Sequence, residues 1–152
     1  LGKNISLDAA KEEVKSNLEN GKAYKKFLEL VNNQGGDISY IEDTNKFEKA
    51  QIIEPIYSEY DGYIEEINAE KIGKVACMLG AGRIRKEDKI DNSVGIVLNK
   101  KVGDKIQRGE VLAYIHSNDH EKMLTAKKEV SNIIRITENE IDTIPTIIEV
   151  IE

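Results

Sequence analysis

Up to Gly35-Gly36, the chain carries two amphipathic patterns that predict a pair of short helices. Apolar residues of the first pattern recur every three or four positions, at Leu7, Ala10, Val14 and Leu18. Ser6 is placed to cap this helix and Gly21 to end it. The second pattern follows at once, with Ala23, Phe27 and Leu30 on one stripe. Because two short helices offer each other little apolar surface, we expect sequence upstream of Leu1 to cover them.

From about Lys46 the pattern changes to short strands separated by glycine turns and two further helices. Strands are predicted over 51–57, 63–67, 94–98 and 111–116, with β-like stretches at 133–137 and 146–151. Pro55 confines the first strand to a sheet edge or makes it irregular. Asn68 is placed to cap a helix that ends at Gly80-Ala81-Gly82, and Asn118 or Asp119 begins another that runs to about Ser131. The order predicts an α+β domain at 47–152, preceded at 1–46 by a helical piece of a different domain.

Composition narrows the classes of protein that fit this pattern. The chain has 152 residues, 39% of them apolar, which suffices for a core, and a net charge of −6, which argues against nucleic-acid binding. A single cysteine, Cys77, excludes an internal disulfide, and no apolar run is long enough to span a bilayer. We therefore expect a cytoplasmic protein that does not act at a membrane. Because the chain opens at Leu1 without methionine, a fragment or a trimmed chain is expected.

Nine short blocks then follow one another in a distinctive order and spacing. They are Gly21-Lys22-Ala23-Tyr24-Lys25-Lys26-Phe27, Gln34-Gly35-Gly36-Asp37, Asp61-Gly62-Tyr63-Ile64, Ala69-Glu70-Lys71-Ile72-Gly73, Leu79-Gly80-Ala81-Gly82-Arg83, Lys86-Glu87-Asp88-Lys89-Ile90-Asp91, Val94-Gly95-Ile96-Val97-Leu98, Lys100-Lys101-Val102-Gly103-Asp104 and Arg108-Gly109-Glu110. Their identity, order and spacing resemble the C-terminal third of pyrimidine-nucleoside and thymidine phosphorylases. The resemblance covers nearly the whole chain.

The resemblance implies an enzyme that cleaves a pyrimidine nucleoside with phosphate, its co-substrate, to give the free base and a pentose 1-phosphate. It also implies a homodimer with a helical domain and an α/β domain upstream, separated by a cleft. Residues 1–46 would be the last helices of that α/β domain. Residues 47–152 would be the C-terminal domain, a barrel-sandwich-like α/β-hammerhead fold.

The residues that the family uses for chemistry are absent from this sequence. The phosphate loop of Lys-[Thr/His]-Ser-Thr-Gly-Gly type is missing, as are the base-binding arginine, serine and lysine that follow it. We therefore expect no catalytic residue, metal or cofactor site in this chain, and a structural role that supports the α/β domain and closure of the cleft. The preference between uridine and thymidine stays open.

The glycine loop Gly80, Gly82 and Arg83 is the best local candidate for a site. One interpretation is a mobile loop beside the cleft, with Arg83 or Arg85 facing a phosphate or the neighbouring domain. The other is a helix end followed by a turn, in which glycine supplies a positive φ angle. No strand precedes this glycine pair, so it is weak evidence for phosphate binding.

Two alternatives from other classes are a carrier domain and a free-standing binding module. Residues 100–115 resemble half of a biotinyl or lipoyl carrier, with two consecutive glycine turns. A carrier displays its modified lysine on a tight hairpin, and Lys122-Met123 is the nearest equivalent. Because Lys122 falls in a predicted helix, a shared scaffold without the attachment chemistry is favoured.

His116 and His120, four residues apart, could hold a metal with Asp119, but a strand end and a loop separate them, so surface or capping roles are favoured. Cys77 is interpreted as a small core residue, with a reactive thiol as the alternative.

The acidic group Glu87, Asp88 and Asp91 lacks the ligand spacing of a calcium loop and is interpreted as a solvated link. The tail strand at 146–151 is predicted to pair at a sheet edge, since its apolar run would otherwise be exposed.

Overall fold

The computed structural model describes residues 5–83, 85–142, 147 and 149. It divides the chain into two compact units, Leu1–Phe47 and Glu48–Glu152. The first contains helices α1 (Leu7–Glu19), α2 (Lys22–Asn33) and α3 (Ser39–Glu42), followed by a 3-10 turn, Thr44–Lys46. The second contains six strands and two helices among its described residues. The predicted α+β class is confirmed.

Local signals place α1 and α2 where the sequence predicts them. The Ser6 hydroxyl accepts a hydrogen bond from the Ala9 amide at 3.3 Å, which caps α1. Gly21 has a φ angle of +78° and separates α1 from α2. No described residue of this unit is buried. The apolar faces of both helices are therefore open, and further along this unit the rings of Tyr40 and Phe47 make an edge-on contact.

Two three-stranded antiparallel sheets form the described part of the second unit. Strands β1 (Ile52–Tyr57), β5 (Val111–Ser117) and β3 (Gly95–Leu98) form one sheet, in that order across it. Strands β4 (Lys105–Ile106), β2 (Gly62–Ile67) and β6 (Ile134–Thr137) form the other.

Proline and glycine lie at particular places in the strand pairs. Pro55 lies on β1 opposite Tyr114, and β1 is an edge strand, as its missing amide proton requires. Gly62 begins β2 opposite Ile106 of β4, and the next residue, Tyr63, pairs with Thr137 of β6. The two-residue strand β4 is absent from the prediction.

Side-chain caps begin the two helices of this unit, α4 (Ala69–Ala76) and α5 (His120–Ile133). Asn68 accepts a hydrogen bond from the Lys71 amide at 3.0 Å, and Asp119 accepts one from the Lys122 amide at 2.9 Å. Each pairs an orphan amide of the first helical turn with a side-chain oxygen. Both predicted caps are confirmed.

A single apolar core joins both sheets and both helices of the second unit. Its largest fully buried apolar side chains are Ile64, Ile106, Ile115 and Val130. Burial of each is worth about 1.5–3 kcal/mol, so this core stabilises the second unit.

Two further findings concern membrane spans and the predicted tail strand. No helix in the described part of the chain is long and apolar enough to cross a membrane. The predicted tail strand at 146–151 lies, apart from Ile147 and Glu149, outside the described residues.

Candidate functional site

The glycine loop begins where α4 widens into a π turn, Cys77–Ala81. Single π turns are frequent at functional sites. Gly80 has a φ angle of +122°, which side-chain-bearing residues rarely adopt. Its carbonyl oxygen accepts a hydrogen bond from the Asp91 amide at 3.0 Å. A side chain at Gly80 would meet no atom closer than Val94 Cγ2 at 3.5 Å. Backbone conformation, rather than space, therefore requires glycine here.

Gly82 is required for a different reason. A β-carbon built on Gly82 would lie 2.4 Å from the Sγ atom of Cys77. Cys77 is half-buried and unpaired, and its thiol occupies the space that a side chain at Gly82 would need. The two positions are therefore coupled by packing, and Cys77 acts here as a small packing residue.

Alanine at Gly82 is expected to lower the free energy of unfolding by about 1–2 kcal/mol, because the thiol must turn away from its place. The Cys77→Ala/Gly82→Ala double variant should recover about 1 kcal/mol of that loss, since it removes the clashing sulfur. Urea unfolding of both single variants and the double variant gives the coupling energy. Strictly additive losses would contradict the packing explanation.

After the loop the chain makes a turn held by an acidic side chain. The Arg85 amide donates to Asp88 Oδ2 at 2.7 Å, and the Asp88 amide donates to the Arg85 carbonyl at 3.1 Å. Arg83, Arg85 and Glu87 are exposed. Contact between Arg83 or Arg85 and an anion stays a prediction.

Asp91 is more than part of a solvated link. Its Oδ1 accepts hydrogen bonds from the amide of Ser93 at 2.9 Å and from the hydroxyl of Ser93 at 2.6 Å. Its Oδ2 accepts one from Asn118 Nδ2 at 2.9 Å. These bonds, those from Ser93 first, lower the pKa of Asp91 below the ordinary value for aspartate. Asp91 therefore belongs to a hydrogen-bond network within the link.

The candidate metal and carrier residues either make structural contacts or are not grouped into a site. Asp119 caps α5, and His120 Nδ1 lies 3.9 Å from Glu121 Oε1. Within the described residues, no three His, Cys, Asp or Glu side chains are grouped to hold a metal. Lys122 is exposed in the first turn of α5, where the sequence predicts it, rather than on a hairpin.

The structure brings to this region two residues whose hydrogen bonds here the sequence did not predict, Ser93 and Asn118. Asn118 was noted as one of two candidate helix caps, and Asp119 takes that role. The short polar run Asp91-Asn92-Ser93, typical of a side-chain-bonded turn, was the available signal.

The second unit is similar in sequence to a known domain family. Residues 63–137 match the family model of the pyrimidine nucleoside phosphorylase C-terminal domain. A pyrimidine-nucleoside phosphorylase of Bacillus subtilis is 43% identical over 113 residues, 74% of this chain and 26% of the relative. One of Staphylococcus epidermidis is 42% identical over 136 residues, 90% of this chain and 30% of the relative. One of Geobacillus stearothermophilus is 38% identical over 143 residues, 94% of this chain and 33% of the relative.

The chain belongs to the pyrimidine-nucleoside phosphorylase family and carries its C-terminal domain. The resemblance seen in the nine sequence blocks is confirmed. The chain spans about a quarter to a third of the length of these curated relatives.

Proposed function

We propose that this chain serves as the C-terminal domain of an enzyme that cleaves pyrimidine nucleosides with phosphate, giving the base and a pentose 1-phosphate. The observation that carries the proposal is the match of residues 63–137 to the C-terminal domain of relatives that are named pyrimidine-nucleoside phosphorylases. Phosphorolysis needs a site that gathers phosphate charge and stabilises a departing pyrimidine anion. We assign that site to sequence upstream of this chain, where the resemblance places the phosphate loop.

The share of this chain in the activity is structural. The polar side chains of its candidate regions bond backbone amides: Asn68 and Asp119 cap helices, and Asp88 and Asp91 hold turns. Groups used in this way are not free to bind substrate. The domain would buttress the α/β domain and help to set how the cleft closes.

The exposed apolar side chains of the first unit also support the upstream α/β domain as its partner. Leu7 and Leu18 on α1 are 70% and 67% exposed, and Phe27 and Leu30 on α2 are also exposed. Apolar side chains in stripes on short helices require a covering surface. The upstream α/β domain of the same polypeptide would supply it, and α1 and α2 would be its last helices.

Three finer features belong to this proposal. The Gly80-Ala81-Gly82-Arg83 loop faces the cleft, with exposed Arg83 turned toward the neighbouring domain or a phosphate. The two three-stranded sheets form a barrel-sandwich-like, hammerhead-type domain. The complete enzyme is a cytoplasmic homodimer, as the family resemblance implies.

Neither alternative is favoured. A carrier displays its lysine on a tight hairpin, whereas Lys122 lies in the first turn of α5 with its amide bonded to Asp119. The carrier alternative predicts biotin or lipoate on Lys122 after coexpression with the corresponding ligase. A free-standing binding module does not explain why the relatives place this domain within much longer enzymes.

The proposal is tested by replacing the C-terminal region of the Geobacillus stearothermophilus relative with the aligned part of this chain. The chimera is expected to cleave uridine or thymidine in phosphate, with release of the free base followed by absorbance. The 152-residue chain alone should give no base above background. A chimera with Ile64→Asp, which places a charge in the core, is the inactive control.

Each arm has an outcome that contradicts the proposal. Phosphorolysis by the 152-residue chain alone would show that it contains a catalytic site. A chimera that is folded and dimeric but inactive would show that this domain does not serve that enzyme type.

A further inference from the structure

The side chain of Asn118 joins three segments that are far apart in sequence. Its Oδ1 accepts a hydrogen bond from the Gln51 amide at 2.8 Å. Its Nδ2 donates to Asp91 Oδ2 and to Ser93 Oγ, each at 2.9 Å. Both protons of the amide group and one lone pair of its oxygen are thus used. Asn118 lies in the turn between β5 and α5, so its own backbone is fixed by a core strand and a capped helix.

The bond to Gln51 fixes the start of the second unit. The boundary between the two units falls between Phe47 and Glu48, and β1 begins at Ile52. Between them, Ala50 is buried at 8% exposure and the Gln51 amide is bonded to Asn118. The backbone is therefore held from Ala50 onward, before the β1 ladder begins.

The bonds to Asp91 and Ser93 fix the glycine loop. Asp91 donates its amide to the carbonyl of Gly80, whose φ angle of +122° marks the π turn. Its carboxylate is held by Ser93 and Asn118. Because bonds to a carboxylate are about twice as strong as neutral ones, this is the firmer side of the network. The position of Gly80 thus depends on Asp91, and that of Asp91 depends in part on Asn118.

We propose that Asn118 is a positioning residue. It holds the connecting segment at Ala50-Gln51 and the Gly80-Ala81-Gly82-Arg83 loop at one common anchor. The place where the chain enters the second unit and the place of the glycine loop are set by the same side chain. A shift at one is transmitted to the other through Gln51, Asn118, Asp91 and Gly80. This inference goes beyond the proposed function and does not depend on it, since it concerns contacts inside one unit.

Amide hydrogen exchange of the 152-residue chain, followed residue by residue by NMR, tests the anchor. In Asn118→Ala, the amides of Gln51 and Asp91 are both expected to exchange about tenfold faster, because each loses a direct or indirect support. Core amides such as Ile64 and Ile115 should keep their wild-type rates. The matched control is Asn92→Ala, which removes an exposed asparagine beside Asp91 with no hydrogen bond to the network.

A second variant separates a shared anchor from two independent contacts. Ser93→Ala removes the hydroxyl that bonds Asp91 and Asn118 but leaves the Gln51–Asn118 bond in place. A shared anchor predicts about threefold faster exchange at both Asp91 and Gln51. If Gln51 keeps its rate in Ser93→Ala, or Asp91 keeps its rate in Asn118→Ala, the common anchor is refuted. If Asn118→Ala accelerates the core amides as well, Ser93→Ala alone decides between the two outcomes. None of these measurements depends on catalysis, so they succeed or fail separately from the phosphorylase proposal.

Discussion

Alanine in place of Gly62 is expected to lower the free energy of unfolding of the second unit by about 3 kcal/mol or more. Gly62 has a φ angle of +152°, in the region that favours glycine. A β-carbon on it would lie 2.3 Å from the carbonyl oxygen of Thr137 and 3.1 Å from Ile136 Cγ2. The first of these is a backbone atom of β6, held in register because Tyr63 pairs with Thr137. It cannot turn aside as a side chain does, so the sheet itself must deform.

The matched control is Gly73→Ala in α4. Gly73 is exposed, and a β-carbon there would meet no atom within 4 Å. Since alanine is the better helix former, this variant should gain about 0.5–1 kcal/mol. Urea unfolding followed by circular dichroism gives both values. A Gly62→Ala variant within about 0.5 kcal/mol of the wild type would contradict the clash with β6.

Gly62 also illustrates a long-range requirement that the sequence could not predict. The pair Asp61-Gly62 predicts a turn before a strand, and the structure has a bend at Asp61 and begins β2 at Gly62. What makes glycine necessary is the approach of Thr137, 75 positions further along, and no local pattern contains that information. The same limit applies to β4: two residues are too few for any periodicity, and Lys105–Ile106 is a strand only because β2 lies beside it.

Features with a local cause were predictable. The caps Ser6, Asn68 and Asp119 each act on an amide three residues away, so the sequence contains both partners. The edge position of Pro55 follows from its own missing proton. The helical turn α3, by contrast, is shorter than the window in which a helical repeat can be recognised.

In the candidate site, too, a feature with a local cause could be predicted and long-range contacts could not. A glycine with positive φ at the end of α4 follows from local helix geometry. The anchor at Asn118 joins residues separated by 67, 27 and 25 positions, which only the folded chain brings together. The resemblance to a family supplied the function class, because no local sequence pattern predicted one.

The second large effect is expected when the two units are separated. A chain of residues 48–152 should keep the unfolding free energy of the second unit to within about 0.5 kcal/mol, whereas a peptide of residues 1–47 should be mostly unfolded in water. The second unit contains every buried side chain of the described residues, and the first contains none. Helices of 13 and 12 residues are marginal without a packed face. Circular dichroism at 222 nm of the two pieces measures the difference.

Point variants in the intact chain sharpen this contrast. Leu18→Ala, at a side chain that is 67% exposed, should change the unfolding free energy by less than about 0.5 kcal/mol. Ile115→Ala, at a side chain with no exposure, should cost about 2–5 kcal/mol. A peptide of residues 1–47 that unfolds cooperatively would contradict the view that its helices need a covering surface.

The same helices should become stable once that surface is present. In the chimera with the Geobacillus stearothermophilus relative, whose similarity covers 94% of this chain, the upstream domain would cover Leu18 and the stripe of α2. Leu18→Ala should then cost about 2 kcal/mol or more, because the side chain it removes would be buried. The change in the cost of one substitution, from almost nothing in this chain to a core-like value in the chimera, measures the docking of α1 directly. An unchanged cost would mean that the apolar face of α1 meets no upstream surface, and that the first unit is not part of the α/β domain.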